Sequence, residues 1–261
     1  MKQVNFLKAI AGFLILFISY HAAEYAILFL NSPGLFLAGF ITFFALIFIV
    51  AKWNGFSVKE LGLALNKKTV FYFFWGLAIG LFYAGSAFVI SLLTSMERIS
   101  FVPAPEVFIG QTLYFASGTV LTSFSEDIFT RGYIYKFLQH KLNTYLLALL
   151  SATVFVLNHI YRYNDGALLF THLFVLGILL IIPLIITGQL WLTTGIHLGM
   201  NMIYQLTNNV MHVENGSNHF SPLAVLVICE AAIIPFVIFI SYKFRKSLPA
   251  KQKGQNSYII F

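Results

Sequence analysis

Apolar residues run almost unbroken for about twenty positions at a time, and short polar connections separate the runs. Eight such runs stand out, at about 6–30, 35–51, 70–93, 108–138, 144–159, 167–187, 190–210 and 223–242. A hydrocarbon core of about 30 Å demands roughly 20 apolar residues in a helical crossing. Nothing in that core satisfies a free backbone N–H or C=O, so spans of this length are helices. The pattern predicts an all-α, polytopic membrane helix bundle with about eight transmembrane helices.

Composition strengthens that picture. Of 261 residues, 59% are hydrophobic and 10% charged, and mean hydropathy is +0.84. Soluble domains carry about 25% charged residues. No linker, internal repeat or charged tail divides the chain, so residues 1–261 read as a single integral membrane domain. The first run exceeds the roughly 7–15 residue core of a signal peptide, and reads as an uncleaved first helix. The ending "NSYIIF" carries no lipidation signal. The single cysteine, Cys229, offers no disulfide.

The positive charges assign the sides. With eight spans, thirteen basic residues share one side: Lys2, Lys8, Lys52, Lys59, Lys67, Lys68, Lys136, Lys141, Lys243, Arg245, Lys246, Lys251 and Lys253. Arg98 and Arg162 lie opposite, and Arg131 falls within a span. The asymmetry predicts cytoplasmic N- and C-termini, with Trp53, Trp75 and Trp191 as interface anchors. The positives are too scattered for nucleic acid, so the formal charge of +7 is mostly a topology signal. The connection "NGFSVKELGLALNKK" reads as a short interfacial helix, with Phe56, Leu61, Leu63 and Leu65 towards lipid. Gly76, Gly80 and Ala84, four apart, read as a helix-packing face.

Charged groups inside spans are costly, at about 2.5–3.5 kcal/mol each on insertion scales, and mark function by default. "SEDIFTRGYIY" places Asp127 and Arg131 four apart on one helical face, as an ion pair. Glu126 points about 100° away and is left for another partner. A carboxylate kept from water suits proton transfer; a purely structural ion cluster is the alternative. "FVLNH" sets Phe155 and His159 four apart, and "GIHLGMN" does the same for His197 and Asn201 between Gly195 and Gly199. Alone, His159 reads as a satisfied core histidine. Together, three spans converge polar groups on one bundle interior. His21 and Glu24 read as a pair at a helix end, His172 as a satisfied polar contact, and His140, His212 and His219 as loop residues. HExxH, GxGD and GxSG signatures are absent.

The order ED-x3-R (Glu126, Asp127, Arg131), F-x3-H (Phe155, His159), H-x3-N (His197, Asn201) resembles the CPBP family, the CAAX proteases and bacteriocin-processing enzymes, also called Abi. That family includes type II CAAX prenyl endopeptidases and lysostaphin-resistance-protein-A-like proteins. "KELGL" resembles a recurrent family element, and the motif-bearing core covers about 108–211. The family's usual second glutamate is Asp127 here. The resemblance implies a glutamic-type intramembrane endopeptidase. Glu126 would be general base on water, His159 would orient that water, and His197 and Asn201 would stabilise the oxyanion. Asp127, Arg131 and Phe155 would support them. It implies a membrane-associated protein or peptide substrate, the lipid bilayer as surroundings, no nucleic acid and no cofactor. Zinc held by Glu126 and the two histidines is the alternative to a metal-free site. Short loops point to a bacterial inner membrane, and the site is expected to open towards the cytoplasmic half. Rival readings are a bacteriocin-immunity-type binding protein and a proton or solute transporter.

Overall fold

The computed structural model describes residues 5–247. In chain order, the elements begin with α1 (Phe6–Leu28), α2 (Pro33–Asn54), a 3-10 turn at Val58–Leu61 and α3 (Lys67–Leu93). Then come β1 (Glu97–Phe101), α4 (Pro105–Asp127), a π-helical turn at Ile128–Tyr133 and α5 (Ile134–Leu138). The chain continues with α6 (Thr144–Leu157), α7 (Ala167–Thr187), α8 (Trp191–Gln205) and a second π-helical turn at Leu206–Val210. It closes with β2 (His212–Asn215) and α9 (Pro222–Ser247). All eight apolar runs are helical over most of their length.

Polar residues between the runs start and stop these helices. Asn5 and Asn143 accept the Lys8 and Leu146 N–H groups at 3.2 and 2.9 Å, capping α1 and α6. Asn66 caps α3 through the N–H groups of Lys68 and Thr69. Such caps satisfy donors that a helix start leaves free. Gly55 and Gly188, at φ 73° and 68°, end α2 and α7 in the left-handed region.

Five helices, α1, α2, α3, α7 and α9, are long and apolar enough to cross a membrane. They carry exposed Leu7, Ile18, Phe48, Ile49, Phe74, Phe82 and Phe239. A surface this apolar needs lipid rather than water against it, and the chain is an integral membrane protein. The motif helices differ from the expected uniform spans for a physical reason. α6 and α8 have 14 and 15 residues, and Leu192–Met200 of α8 is wholly buried. That stretch of α8 contacts protein, so lipid does not dictate its polarity, whereas α6 exposes Tyr145, Leu146, Leu149 and Leu157 on its outer face.

Two details need correction. The fold is nearly all-α, yet His212 is not in a loop: β1 and β2 pair antiparallel, with Arg98 bonded to Glu214 at 2.7 Å. His212 therefore sits in a strand, although exposed as expected. The α2–α3 connection is not an interfacial helix either. It forms one 3-10 turn, and Leu61 is buried against the bundle while Leu65 is exposed.

The contacts divide the molecule into two ends. Lys136 bonds Glu60, Lys68 bonds the Ser247 carbonyl, and Trp191 Nε1 donates to Ala64 O at 2.9 Å. This end gathers the basic residues of 8–246 that were expected on one side; Lys2, Lys251, Lys253 and "NSYIIF" lie outside the described residues. The other end carries the β1–β2 pair, Arg98 and Arg162. Two apolar cores fill the bundle. One joins α3, α7, α8 and α9 around Leu180, Ile196 and Val237. The other joins α1 and α2 to the first π turn around Phe40, Phe43 and Phe129.

Candidate functional site

The site is built around the point where α4 gives way to the π turn. Gly132 lies against the carbonyl of Leu61; a Cβ there would sit 2.7 Å from that oxygen. Ser151 of α6 donates to Thr130 O at 2.9 Å, and the Tyr133 hydroxyl donates to Ala9 O at 2.8 Å. The turn is thus tied to α1, to α6 and to the α2–α3 connection. Short π segments inside helices commonly occur at functional sites.

Asp127 and Arg131 form the expected pair across this turn, Oδ1 to NH1 at 2.6 Å, both without exposed side-chain surface. The guanidinium also lies 4.2 Å from the centre of the Phe155 ring, a cation–π contact that strengthens when water is excluded. Phe155 therefore contacts the ion pair as well as the imidazole of His159, whose ring centre is 4.8 Å away.

Glu126 faces away from that pair. Its Oε1 accepts from Asn158 Nδ2 at 2.9 Å and lies 4.0 Å from His159 Nε2. Its Oε2 lies 3.5 Å from His197 Nε2. His159 Nδ1 is 2.8 Å from the Phe155 carbonyl. A carbonyl only accepts, so Nδ1 carries the proton, and the neutral ring keeps a lone pair on Nε2. That lone pair faces Glu126 at a distance too long for a direct bond.

His197 is held from both sides. Its Nδ1 lies 3.2 Å from Asp127 Oδ1, the oxygen that also takes Arg131. α8 can be this close because Gly195 and Gly199 pack on Gly76 and Gly80 of α3, where any Cβ would collide with the facing backbone. This is the close packing expected at Gly76, Gly80 and Ala84, and it turns His197 towards α4. One turn along, Asn201 Nδ2 donates to Ser123 Oγ of α4 at 3.1 Å. Asn201 thus lies on the α4–α8 seam beside the glutamate cluster.

Two further contributors, Asn158 and Tyr20, escaped sequence reasoning, and a third, Glu24, was read without its place beside the site. Asn158 stood inside "FVLNH", adjacent to His159, and its polarity at the end of an apolar run was the available signal. Tyr20 donates to Glu24 Oε1 at 3.2 Å and packs its ring on Phe129 of the π turn. Glu24 does pair with His21, at 2.8 Å, but beside the site rather than apart from it. Side-chain exposure is 8% for Glu126, 17% for His159 and 25% for Glu24. The site therefore opens towards the ends of α1 and α6, opposite the lysine-rich end. The expected opening towards the lysine-rich, cytoplasmic half does not match this distribution of exposure.

Away from this cluster, His172 pairs with Glu230 of α9 at 2.9 Å, both buried. It is the satisfied polar contact expected, with a partner the sequence did not name.

The sequence model of the family described as type II CAAX prenyl endopeptidase Rce1-like matches residues 108–203. No curated protein matches the chain. The matched segment contains all seven motif residues, from Glu126 to Asn201. Over that segment the chain is similar to the CAAX protease (CPBP) family.

Proposed function

We propose that the protein is an intramembrane endopeptidase that hydrolyses a peptide bond in a membrane-associated protein or peptide. One observation carries this reading. A single buried carboxylate, Glu126, has its two oxygens facing Asn158, His159 and His197, within the segment that matches the CAAX protease family.

In this reading the attacking water lies between Glu126 Oε1 and His159 Nε2. Both atoms accept, so they orient the two O–H bonds of the water and leave its lone pair for the substrate carbonyl. Glu126 takes the proton as the water adds, then passes it to the leaving nitrogen. His197 lies with Nδ1 against Asp127 and Nε2 on the Glu126 side, so that an N–H on Nε2 donates towards the forming oxyanion. The second N–H of Asn201 joins it. Such donors count most where water is excluded, about 10²–10³ in rate for each. Asp127 and Arg131 are supporting groups that orient His197 and hold the π turn.

We assign no metal to this mechanism. His197 already directs both nitrogens at carboxylates, and His159 gives Nδ1 to the Phe155 carbonyl. Among the described residues, no group of three or more His, Cys, Asp or Glu is disposed to hold a metal.

We further propose that residues 1–261 form one membrane domain with about eight crossings. The start of α1 and the end of α9 face the cytoplasm, which the basic residues at that end support. A bacterial inner membrane suits the short connections. Membrane peptides from cells producing the wild type or Glu126→Gln test the activity. Cleavage products present only with the wild type support it. Identical peptide sets at equal protein levels overturn it, and proton or solute flux in liposomes lost with Glu126→Gln would identify a transporter instead.

A further inference from the structure

Beyond His197 and Asn201, α8 runs on into the second π-helical turn, Leu206–Val210, and then into β2. Where that turn meets β1 there is a cavity of about 320 Å³, whose lining includes Glu97, Thr207, Asn208, Asn209 and His212. Ligand pockets start at about 300 Å³, so this one is sized for a single side chain. Asn208 stands seven residues beyond Asn201, about 10 Å further along the helix. The cavity therefore lies at the end of the molecule towards which the Glu126 site opens.

Hydrogen bonds within the turn decide what the cavity can hold. Asn208 Nδ2 donates to the Tyr204 carbonyl at 2.9 Å and to Thr207 Oγ1 at 3.0 Å, which spends both of its N–H groups. Thr207 gives its own proton to the Ile203 carbonyl at 3.1 Å. Asn209 Nδ2 donates to Gln205 Oε1 at 2.6 Å. Glu97 is half-buried, and an ionised carboxylate only accepts. The lining is thus rich in acceptors, short of donors, and negative. No nearby cation neutralises it. Arg98 is bonded to Glu214 at 2.7 Å and Arg162 to Asp165 at 2.8 Å, and among the described residues no lysine or arginine pairs with Glu97.

We propose that this cavity is a subsite for a basic side chain, Lys or Arg, of the peptide substrate, with Glu97 as its counter-charge. Ammonium and guanidinium groups carry only donors, which is what an acceptor-rich wall matches. The proposal rests on the peptidase reading of the Glu126 site. An extended peptide advances about 3.3 Å per residue, so the basic residue sits about three residues from the cleaved bond. Other cations match the lining less well. The ammonium of a lipid head group brings its phosphate to a wall that is already negative. A divalent ion needs several ligands, and among the described residues no three His, Cys, Asp or Glu gather to hold one.

The probes are quenched fluorescent membrane-spanning peptides that carry Lys, norleucine or Glu at one position, moved stepwise along the flank of the span. The protein is held in phosphatidylglycerol nanodiscs, where no lipid ammonium competes. At the best position, wild type is expected to favour Lys over norleucine about tenfold in kcat/KM, the worth of one charge-assisted hydrogen bond. Glu97→Gln should bring that ratio to about one, and Glu97→Lys should favour the Glu peptide instead. Each ratio is taken within one preparation, so a folding defect does not mimic it. Binding of the same peptides to Glu126→Gln, with and without Glu97→Gln, should give the same ratios in Kd by fluorescence anisotropy. Peptides cleaved at equal ratios by wild type and Glu97→Gln overturn the subsite and leave the peptidase reading. Equal Kd values for the Lys and norleucine peptides overturn the subsite as well. Kd ratios that follow Glu97 in a protein that cleaves no peptide keep the subsite and remove the peptidase reading.

Discussion

Asp127 reaches from α4 to the imidazole of His197, Oδ1 to Nδ1 at 3.2 Å, with the same oxygen that takes Arg131 at 2.6 Å. One carboxylate therefore neutralises the buried guanidinium and aims the histidine of another helix. Arg131 has no exposed surface, and its Nε and NH2 have no hydrogen-bond partner among the described residues. Removing one partner of a buried ion pair costs about 3–5 kcal/mol, because the other charge is stranded. Asp127→Asn is expected to lower thermal stability in detergent and cellular protein level, besides activity. Glu126→Gln should leave both near wild type while abolishing cleavage. The reverse pattern would mean that the two carboxylates have exchanged roles.

Asn158 donates to Glu126 Oε1 at 2.9 Å and is 2% exposed. Without that donor, the carboxylate can rotate away from the His159 lone pair, and small misplacements of a base are costly in rate. Asn158→Ala is expected to reduce kcat about 10–100-fold with little change in KM. Steady-state kinetics on a fluorescent peptide checks this, and an unchanged kcat would reduce Asn158 to a packing residue.

What could be read from sequence follows from where local geometry rules. Asp127 with Arg131, and Phe155 with His159, are i,i+4 neighbours, and that spacing survives even the π turn. His197 and Asn201 were recognisable for the same reason, together with the glycines beside them. Asn158 was not, because it ends α6, where the backbone leaves helical geometry at His159 (φ −86°, ψ 50°) and 100° steps no longer apply. Tyr20 and Glu24 were hidden by sequence distance; nothing local says that α1 packs on the π turn. The β1–β2 pair was hidden because its strands lie in two short connections that meet only after α3 and α8 pack.

The proposed mechanism without a metal makes a simple prediction. Cleavage by the purified protein should persist after exhaustive chelation, and added zinc should not raise it. Full loss on chelation with recovery on zinc would place the ion on Glu126 and the two histidines.

The α3–α8 contact predicts an effect at a distance from the chemistry. A Cβ on Gly199 would sit 2.7 Å from Leu81 N and against Leu77 O, both backbone atoms. Overpacking of this kind costs about 1–3 kcal/mol. It would also push α8 away from α3 and carry His197 off Asp127. Gly199→Ala should therefore lower kcat beyond its effect on stability. Gly110, with nothing within 4 Å of its virtual Cβ, supplies the control: Gly110→Ala should be neutral or slightly stabilising.

At the lysine-rich end, Glu60 joins the α2–α3 connection to α5. Partial burial pushes its carboxyl up, but the Lys136 ammonium and the Ser57 backbone N–H outweigh this and hold it below the usual carboxylate range. A depressed carboxylate stabilises the fold above its unfolded value, and the gain is lost as pH falls through the folded value. The Glu60 side chain is 42% exposed, so screening keeps the contribution below about 1 kcal/mol. Glu60→Gln is therefore expected to lower thermal stability slightly at pH 7. The gap to wild type should close as the buffer is taken below about pH 4, near the ordinary range for glutamate. Thermal unfolding in detergent across that range checks it; a gap that persists in acid would assign Glu60 a packing role instead.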